Sequence, residues 1–199
     1  MVKDIVLIII AYLLGSLNAA ILYSKFVKHD DIRNYGSGNA GATNTLRTYG
    51  FAVAFGVILF DVIKGIVAVL LAKHFSGSDF AVYCGGFAAV LGHNYPIFEG
   101  FKGGKGIAVS GGVSLAMDWR LGLIWICFGF AIVFATHIVS LGACISVSTT
   151  PFLAWYFIGT WPAVAYFTIN ALLCLYGHRG NIQRILNGTE RKTYLRKRD

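Results

Sequence analysis

Apolar residues fill most of the chain in long runs, and short polar segments separate these runs. They predict seven membrane-spanning helices, near residues 5–24, 51–72, 80–98, 104–118, 120–139, 141–158 and 161–177, followed by a tail at 178–199. A helix that crosses a bilayer needs about 20 predominantly apolar residues. The predicted fold class is therefore an all-α, polytopic integral membrane protein with a single membrane domain.

The fourth run is the shortest, because its apolar part covers only 107–117. At about 1.5 Å per residue, this part crosses a hydrocarbon layer of about 30 Å only if helix extends into the flanking segments. The alternative is a re-entrant half-helix that does not cross the membrane.

The distribution of basic residues favours seven crossings. With the N-terminus outside, thirteen Lys and Arg residues fall inside and only Lys3, Lys73 and Arg120 fall outside. Without the fourth crossing the tail would move outside, and the usual excess of basic residues in cytoplasmic segments would be lost. We therefore expect an outside N-terminus and a cytoplasmic C-terminus.

Composition supports a membrane protein and excludes a soluble globular domain. Hydrophobic residues make up 56% of the chain and charged residues only 13%, whereas soluble domains carry about 25% charged residues. The net charge of +8 is concentrated in the loops and suggests anionic lipid heads or phosphorylated substrates as partners. The four cysteines lie in apolar runs without a CxxC spacing, so neither a zinc site nor a disulfide framework is predicted.

A first polar cluster, residues 35–44 with Arg47, formally contains the pattern G-x-G-x-x-G. The dinucleotide fingerprint of that form requires a preceding strand and a parallel sheet, and neither is predicted here. Closely spaced glycines still let backbone N–H groups approach an anion, and a helix beginning near Thr43 would offer its positive end. Ser37 and Asn44 add neutral donors, and Arg47 adds a planar fork that suits phosphate. The alternative is a glycine-rich turn with helix-capping residues.

A second cluster, residues 92–106, contains Lys105 between glycines. It resembles a nucleotide-binding Walker loop only loosely, because Glu99 stands where the first glycine should be and Gly106 replaces the magnesium-binding hydroxyl residue. Nucleotide hydrolysis is therefore not predicted. A lysine among backbone N–H groups can instead hold a phosphate or a developing oxyanion. The alternative is a hinge whose lysines only follow the positive-inside tendency.

A third cluster, residues 178–192, opens the predicted tail. Three of its apolar residues share one helical face, so we expect a helix that lies on the membrane surface. The basic residues at 196–198 are expected to attract anionic lipid. For His178 both a structural role and acid–base chemistry remain open.

Asp61 and Lys64 lie three residues apart within the second predicted span, on one helix face. Ionisable residues inside a membrane usually serve function. Two alternatives remain: the residues neutralise each other and anchor the helix, or Lys64 reaches toward the cytoplasmic clusters.

Together these residues resemble the PlsY family, the acyl-phosphate-dependent glycerol-3-phosphate acyltransferases of bacterial inner membranes. The resemblance covers the whole chain and rests on residues 36–44 with Arg47, 61–65, 92–106 and 178–192. Val109 departs from the family pattern, in which a hydroxyl residue is usual, so no polar role is carried to that position.

The resemblance implies transfer of a fatty acyl group from acyl phosphate to the 1-hydroxyl of glycerol 3-phosphate, giving lysophosphatidic acid and phosphate for phospholipid synthesis. Acyl phosphate is an activated mixed anhydride that an alcohol attacks directly, so no enzyme nucleophile, metal or cofactor is expected. The implied partners are glycerol 3-phosphate, acyl phosphate and membrane lipids, with no nucleic acid and no obligate protein partner. The implied location is the inner membrane, with the active site facing the cytoplasm.

For this reaction we expect Lys105 and the N–H groups of Gly103 and Gly104 to hold the phosphoryl group or the oxyanion. The proton of the attacking hydroxyl would pass to a substrate phosphate oxygen or to His178. The residues expected to bind substrate are Ser37, Asn39, Thr43, Asn44, Arg47, Lys64, His93, Arg179 and Asn181. Two other classes fit the same loops: a membrane carrier for phosphorylated metabolites and a purely structural membrane protein.

Overall fold

The computed structural model describes residues 1–193 and contains no strand among them. Its helices are α1 (Val2–Ser16), α2 (Ala19–Val27), α3 (Ala42–Tyr49), α4 (Phe51–Phe75), α5 (Asp79–Asn94), α6 (Ile107–Met117), α7 (Trp119–Thr136), α8 (Val139–Phe157), α9 (Trp161–Gly177) and α10 (Arg179–Leu186). Short 3₁₀ helices lie at Ile32–Asn34 and Ile97–Glu99. The predicted all-α class is confirmed. The basic residues predicted to attract lipid, at 196–198, lie outside the described residues.

The helices form two compact units, Met1–Met117 and the chain from Asp118 onward. In the first unit α1 packs against α5, and α4 packs against both α5 and α6. Glycines make the closest approaches, because a Cβ on Gly15 would overlap the backbone of Ala89, and one on Gly112 would overlap Val62. Small residues at such contacts let membrane helices approach each other closely. The prediction of a single membrane domain stays a prediction.

The first predicted span, 5–24, is not one continuous helix. It breaks between α1 and α2, whose axes differ by 46°. Asn18 explains the break, because its side-chain oxygen accepts from the N–H of Ile21 at 3.2 Å and so caps the start of α2. Its amide nitrogen also donates to the carbonyl of Ala40 at 3.0 Å. The break therefore ties the end of α1 to the first polar cluster.

Helix lengths differ from the predicted spans. By length and composition, Phe51–Phe75 and Trp119–Thr136 can cross a membrane, and the bent pair α1 and α2 makes a third crossing if it is one span. Helix α6 begins at Ile107 and not at 104, since Gly106 takes a left-handed φ of 80°. Its 11 residues extend only about 16 Å. The count of seven crossings stays a prediction.

In the second unit α8 packs between α7 and α9. The indole N–H of Trp125 donates to Ser146 Oγ at 3.0 Å within this packing. Helix α10 forms at the place where a surface helix is predicted, and it contacts α8 and α9. This unit therefore carries the third polar cluster on a short helix that directly follows α9.

Candidate functional site

The first polar cluster folds around the side chain of Asn44. Its Nδ2 donates to the carbonyl oxygens of Ile32 at 3.1 Å and Tyr35 at 3.0 Å, and its Oδ1 accepts from the Ser37 N–H at 3.0 Å. Asn44 is buried and lies in α3, which begins at Ala42, next to the predicted start. The Asn44 amide therefore holds the glycine-rich turn from its interior. Its hydrogen bond to the Ser37 N–H fixes the backbone at Ser37.

The other predicted binding residues of this cluster are more accessible. Ser37 and Arg47 are exposed, whereas Thr43 and Asn39 are half-buried. Asn39 Nδ2 donates to the carbonyl of Gly103 at 3.5 Å. This hydrogen bond joins the first cluster to the second.

The second cluster folds back onto the end of α5. The N–H of Gly103 donates to the carbonyl of Asn94 at 3.1 Å, and the N–H of Gly104 donates to the carbonyl of His93 at 3.0 Å. Both N–H groups are engaged in the backbone, so this arrangement does not support their predicted role as oxyanion donors. Lys105, half-buried, follows them directly. Its side chain is the remaining candidate for contact with the phosphoryl group.

Glycine is required in the second cluster for packing. A Cβ on Gly104 would overlap the imidazole ring of His93, and one on Gly103 would overlap the carbonyl of His93 and the ring of Pro96. Because no side chain intervenes, the backbone that leads to Lys105 lies directly on the His93 ring. The position of Lys105 therefore depends on how His93 is held.

A buried ionic cluster holds His93. Lys64 Nζ lies 2.8 Å from Asp61 Oδ1 and 3.0 Å from His93 Nδ1. It also donates to the carbonyls of Gly15 at 3.0 Å and Leu17 at 2.9 Å. Asp61 and Lys64 are only 2% and 5% exposed, and a buried charge is stable only when it is paired and hydrogen-bonded.

This geometry confirms that Asp61 and Lys64 pair. It also explains why Lys64 reaches the end of α1: the last carbonyls of a helix lack intrahelical partners, and the break after Ser16 places two such carbonyls, those of Gly15 and Leu17, at the lysine. The predicted binding residues Lys64 and His93 are therefore in contact, beneath the second cluster.

Sequence reasoning missed a second tie between the loops, centred on Arg33. Its guanidinium donates to the carboxylate of Asp31 and to the carbonyls of Glu99 at 2.8 Å and Lys102 at 3.2 Å. The Arg33 hydrogen bonds hold the pKa of Asp31 below its usual value. Lys25 forms an ion pair with Glu99 at 2.6 Å. The signal in the sequence was the close spacing of Asp31 and Arg33. It does not reveal that Arg33 binds carbonyls about seventy positions further along the chain.

The C-terminal candidates lie in the second unit. His178 is buried, and its Nδ1 lies 2.8 Å from the carbonyl of Cys174, so Nδ1 carries a proton and Nε2 is the basic nitrogen of the neutral ring. The Arg179 guanidinium lies 4.5 Å from the centre of the Tyr176 ring. Asn181 Nδ2 donates to Glu190 at 2.6 Å. The hydrogen bond of Nδ1 to the Cys174 carbonyl therefore fixes the orientation of the His178 ring.

Glu190 organises the described part of the tail. Its carboxylate accepts from Ser140 Oγ at 2.8 Å, from Asn181 at 2.6 Å and from Arg184 Nε at 2.7 Å. Burial disfavours the charged form, but these hydrogen bonds prevail, so the pKa of Glu190 lies below its usual value. The carboxylate is therefore ionised at neutral pH and fixes the side chain of Asn181.

Fold and site together define an integral membrane protein of helices whose connecting segments present cationic, glycine-rich turns suited to phosphate groups. A family model described as glycerol-3-phosphate acyltransferase matches residues 5–188. The chain belongs to this family, to which the PlsY proteins also belong.

Curated relatives named glycerol-3-phosphate acyltransferase share high similarity over nearly the whole chain. One from Thermoanaerobacter sp. (strain X514) is 45% identical over 184 residues, covering 92% of each chain. One from Gloeobacter violaceus is 40% identical over 191 residues, covering 92% of this chain and 91% of the relative.

The comparison with solved structures supports the same family. A crystal structure of PlsY, described as an integral membrane glycerol 3-phosphate acyltransferase in its glycerol 3-phosphate form, is 34% identical with a TM-score of 0.92. A second PlsY structure, in a lysophosphatidic acid form, is 32% identical with a TM-score of 0.89. Each comparison covers 96% of both chains. The membrane-protein class and the resemblance to the PlsY family are confirmed.

Proposed function

We propose that this protein transfers a fatty acyl group to the 1-hydroxyl of glycerol 3-phosphate, with acyl phosphate as the donor. The observation that carries the proposal is the match of residues 5–188 to the glycerol-3-phosphate acyltransferase family, together with the likeness to a structure in a glycerol 3-phosphate form. The products are lysophosphatidic acid and inorganic phosphate, which serve phospholipid synthesis. Family membership does not favour the carrier that the loops alone allow.

In the proposed reaction the hydroxyl oxygen attacks the acyl carbonyl carbon, and the bond between that carbon and the phosphate oxygen breaks. The hydroxyl proton passes to a phosphate oxygen of the substrate or to Nε2 of His178. Charge builds up on the carbonyl oxygen and on the leaving phosphate, so a fixed cation stabilises the transition state. Lys105 is the proposed cation, because it directly follows the two glycines packed on His93.

Glycerol phosphate is proposed to bind to the first polar cluster. Ser37 and Arg47 are exposed donors there, and Thr43 is half-buried. Asn39 and Asn44 support this cluster through hydrogen bonds to the backbone. Lys64 and His93 act indirectly. His93 packs against the two glycines that precede Lys105, and Lys64 holds the His93 ring. Arg179 and Asn181 remain predicted binding residues of the second unit.

We also propose that the chain forms one membrane domain in the bacterial inner membrane, with seven crossings, the N-terminus outside and the site facing the cytoplasm. The thirteen basic residues in segments 25–50, 99–106 and 178–199 support this orientation. Labelling of single cysteines placed at Ser37, Lys105 and Arg179 in sealed vesicles tests it. Labelling of these three from different sides would contradict the orientation.

The decisive experiment is Lys105→Ala in purified, reconstituted protein, supplied with acyl phosphate and labelled glycerol 3-phosphate. Loss of one oxyanion donor typically costs about 10² to 10³ in rate, so lysophosphatidic acid formation should fall by that factor. Lys102→Ala is the matched control, because that exposed lysine lies in the same segment. Near-normal turnover of Lys105→Ala would remove the assignment, and uptake of label without acylated product would favour a carrier.

A further inference from the structure

The guanidinium of Arg33 joins the segment just before the first polar cluster to the second cluster, through both edges of its plane. Nη1 donates to the carbonyls of Glu99 at 2.8 Å and Lys102 at 3.2 Å. Nε and Nη2 donate to the Asp31 carboxylate, at 2.9 Å and 2.6 Å for the shorter contacts. Only arginine offers donors in a rigid planar fork of this kind. Arg33 therefore fixes its own loop and the second cluster at the same time.

The two carbonyls that Arg33 binds flank a turn of unfavourable backbone. Gly100 and Phe101 both take left-handed conformations, with φ of 64° and 59°. This region is disfavoured for a residue with a bulky side chain such as Phe101. The Phe101 N–H donates to the Pro96 carbonyl at 3.0 Å. Arg33 binds the Glu99 carbonyl before the two residues and the Lys102 carbonyl after them. The segment that leads to Lys105 starts from this turn.

We propose that Arg33 is a positioning residue for acyl transfer: it clamps the Glu99–Lys102 turn and so places Lys105, without touching substrate itself. The proposal rests on the function proposed above. Lys105 lies three residues beyond the Lys102 carbonyl, so a turn that relaxes moves the lysine backbone. A displacement of about 1 Å, produced by a mutation remote from the reacting atoms, can cost on the order of 10²-fold in rate.

The chain contains a matched control for this clamp. In the second unit Asp118 and Arg120 have the same spacing, and Arg120 Nη2 and Nε donate to Asp118 at 2.7 Å and 3.1 Å. In both pairs the aspartate also accepts from the backbone N–H of its arginine, at 3.0 Å for Arg33 and 2.9 Å for Arg120. The Arg120 pair lies at the start of α7, and Arg120 Nη2 also donates to the carbonyl of Phe157 at 3.4 Å within the second unit. Arg120→Lys therefore removes an equivalent fork without loosening the turn.

The first test compares the steady-state kinetics of Arg33→Lys and Arg120→Lys. Arg33→Lys keeps the positive charge but cannot hold both the carboxylate and the two carbonyls. We expect its kcat to fall by about 10-fold to 100-fold, whereas KM for glycerol 3-phosphate changes by less than about threefold. Arg120→Lys should keep both constants within about twofold. A normal kcat with a raised KM for Arg33→Lys would mean that the guanidinium fork binds substrate directly, and would overturn the positioning role.

The second test does not depend on activity. The N–H groups of Gly103 and Gly104 are bonded to carbonyls of α5, so their hydrogen exchange reports how firmly the segment is seated. In Arg33→Lys, exchange of a peptide covering 99–106 should accelerate, while peptides within α5 keep their protection. Acceleration across the whole first unit would indicate general destabilisation and would overturn the proposal, as would unchanged exchange at 99–106.

If Arg33→Lys does not fold, Asp31→Asn, which weakens the same fork, takes its place and should show the same pattern at about threefold in kcat; an unchanged kcat and unchanged exchange overturn the positioning role. If wild-type protein and Arg120→Lys form no lysophosphatidic acid, the proposed function fails and the positioning role fails with it. An active wild type whose Arg33 and Arg120 variants behave alike overturns only the positioning role.

Discussion

The two glycine-rich segments, residues 36–41 and 100–106, look alike in sequence but are held in different ways. The first wraps around one side chain, the buried amide of Asn44, which binds the backbone at three places. The second lies on another element, with its N–H groups on α5 carbonyls and Gly104 against the His93 ring. The first is thus fixed chiefly by a side chain of its own loop, with one further bond from Asn18 to the Ala40 carbonyl, whereas the second depends on distant parts of the first unit.

This difference shows that glycine has two separate uses here. Gly36 takes a left-handed φ of 60°, and its missing side chain also leaves room for the Asn44 amide. Gly104 is needed for close contact alone, and its φ does not lie in the left-handed region. A pattern of glycines near basic residues therefore does not identify backbone groups that bind an anion. The hydrogen bonds of each N–H decide that question.

Apart from the loss of Lys105 itself, the largest expected effect comes from Gly104→Ala. Its new methyl group would overlap the His93 ring, and overpacking of a filled site costs about 1 to 3 kcal/mol. Movement of Lys105 adds to this cost, so acyl transfer should fall by at least about tenfold, as measured by lysophosphatidic acid formation. Gly56→Ala is the control, because a Cβ on that helical glycine meets nothing within 4 Å. Equal activity of the two variants would remove the contact role of Gly104.

Asn44→Asp should act on stability in the first segment. The carboxylate cannot donate to the carbonyls of Ile32 and Tyr35, and unsatisfied buried groups cost about 1 to 3 kcal/mol each. We expect the thermal midpoint in detergent to fall by roughly 4 to 12 °C. Asn187→Asp, at an exposed position after α10, should shift it far less. A midpoint unchanged in Asn44→Asp would contradict the internal role of the amide.

The smallest effect concerns the ion pair between Asp31 and Arg33, which lies just before the first segment. Arg33 lowers the pKa of Asp31 in the folded protein, so this tie stabilises the fold above the unfolded pKa of about 3.9 and is lost as pH falls through the lower folded value. The difference in thermal midpoint between wild type and Asp31→Asn should be constant from neutral pH to about pH 5 and shrink below about pH 4. A difference that grows on acidification would contradict the pairing.

Local patterns could be predicted from the sequence, and long-range contacts could not. The apolar runs gave the helical class, the spacing of Asp61 and Lys64 gave their pairing, and α3 begins at Ala42, next to the expected Thr43. The break at Asn18 was missed because one polar residue in an apolar run does not reveal that its side chain caps a new helix.

The packing of Gly103 and Gly104 could not be predicted for a related reason. Sequence shows that the N–H groups exist but not that the segment folds back to the carbonyls of His93 and Asn94. The same limit hid Arg33, because its partners Glu99 and Lys102 are brought near only by tertiary folding. The sequence shows which groups can donate hydrogen bonds, whereas the acceptors that they reach depend on the tertiary fold.

The Lys64 contacts also place the ring of His93 between two opposite charges. Its Nδ1 lies 3.0 Å from the ammonium nitrogen of Lys64 and 3.4 Å from Asp61 Oδ1, whereas a Cβ on Gly104 would overlap Nε2 on the other edge of the ring. Nδ1 accepts from the ammonium in one tautomer and can donate to the carboxylate in the other. In either tautomer, one edge of the ring faces the buried charges and the other faces the segment that leads to Lys105. A glutamine at this position, which can both donate and accept, should preserve more of this orientation than a phenylalanine.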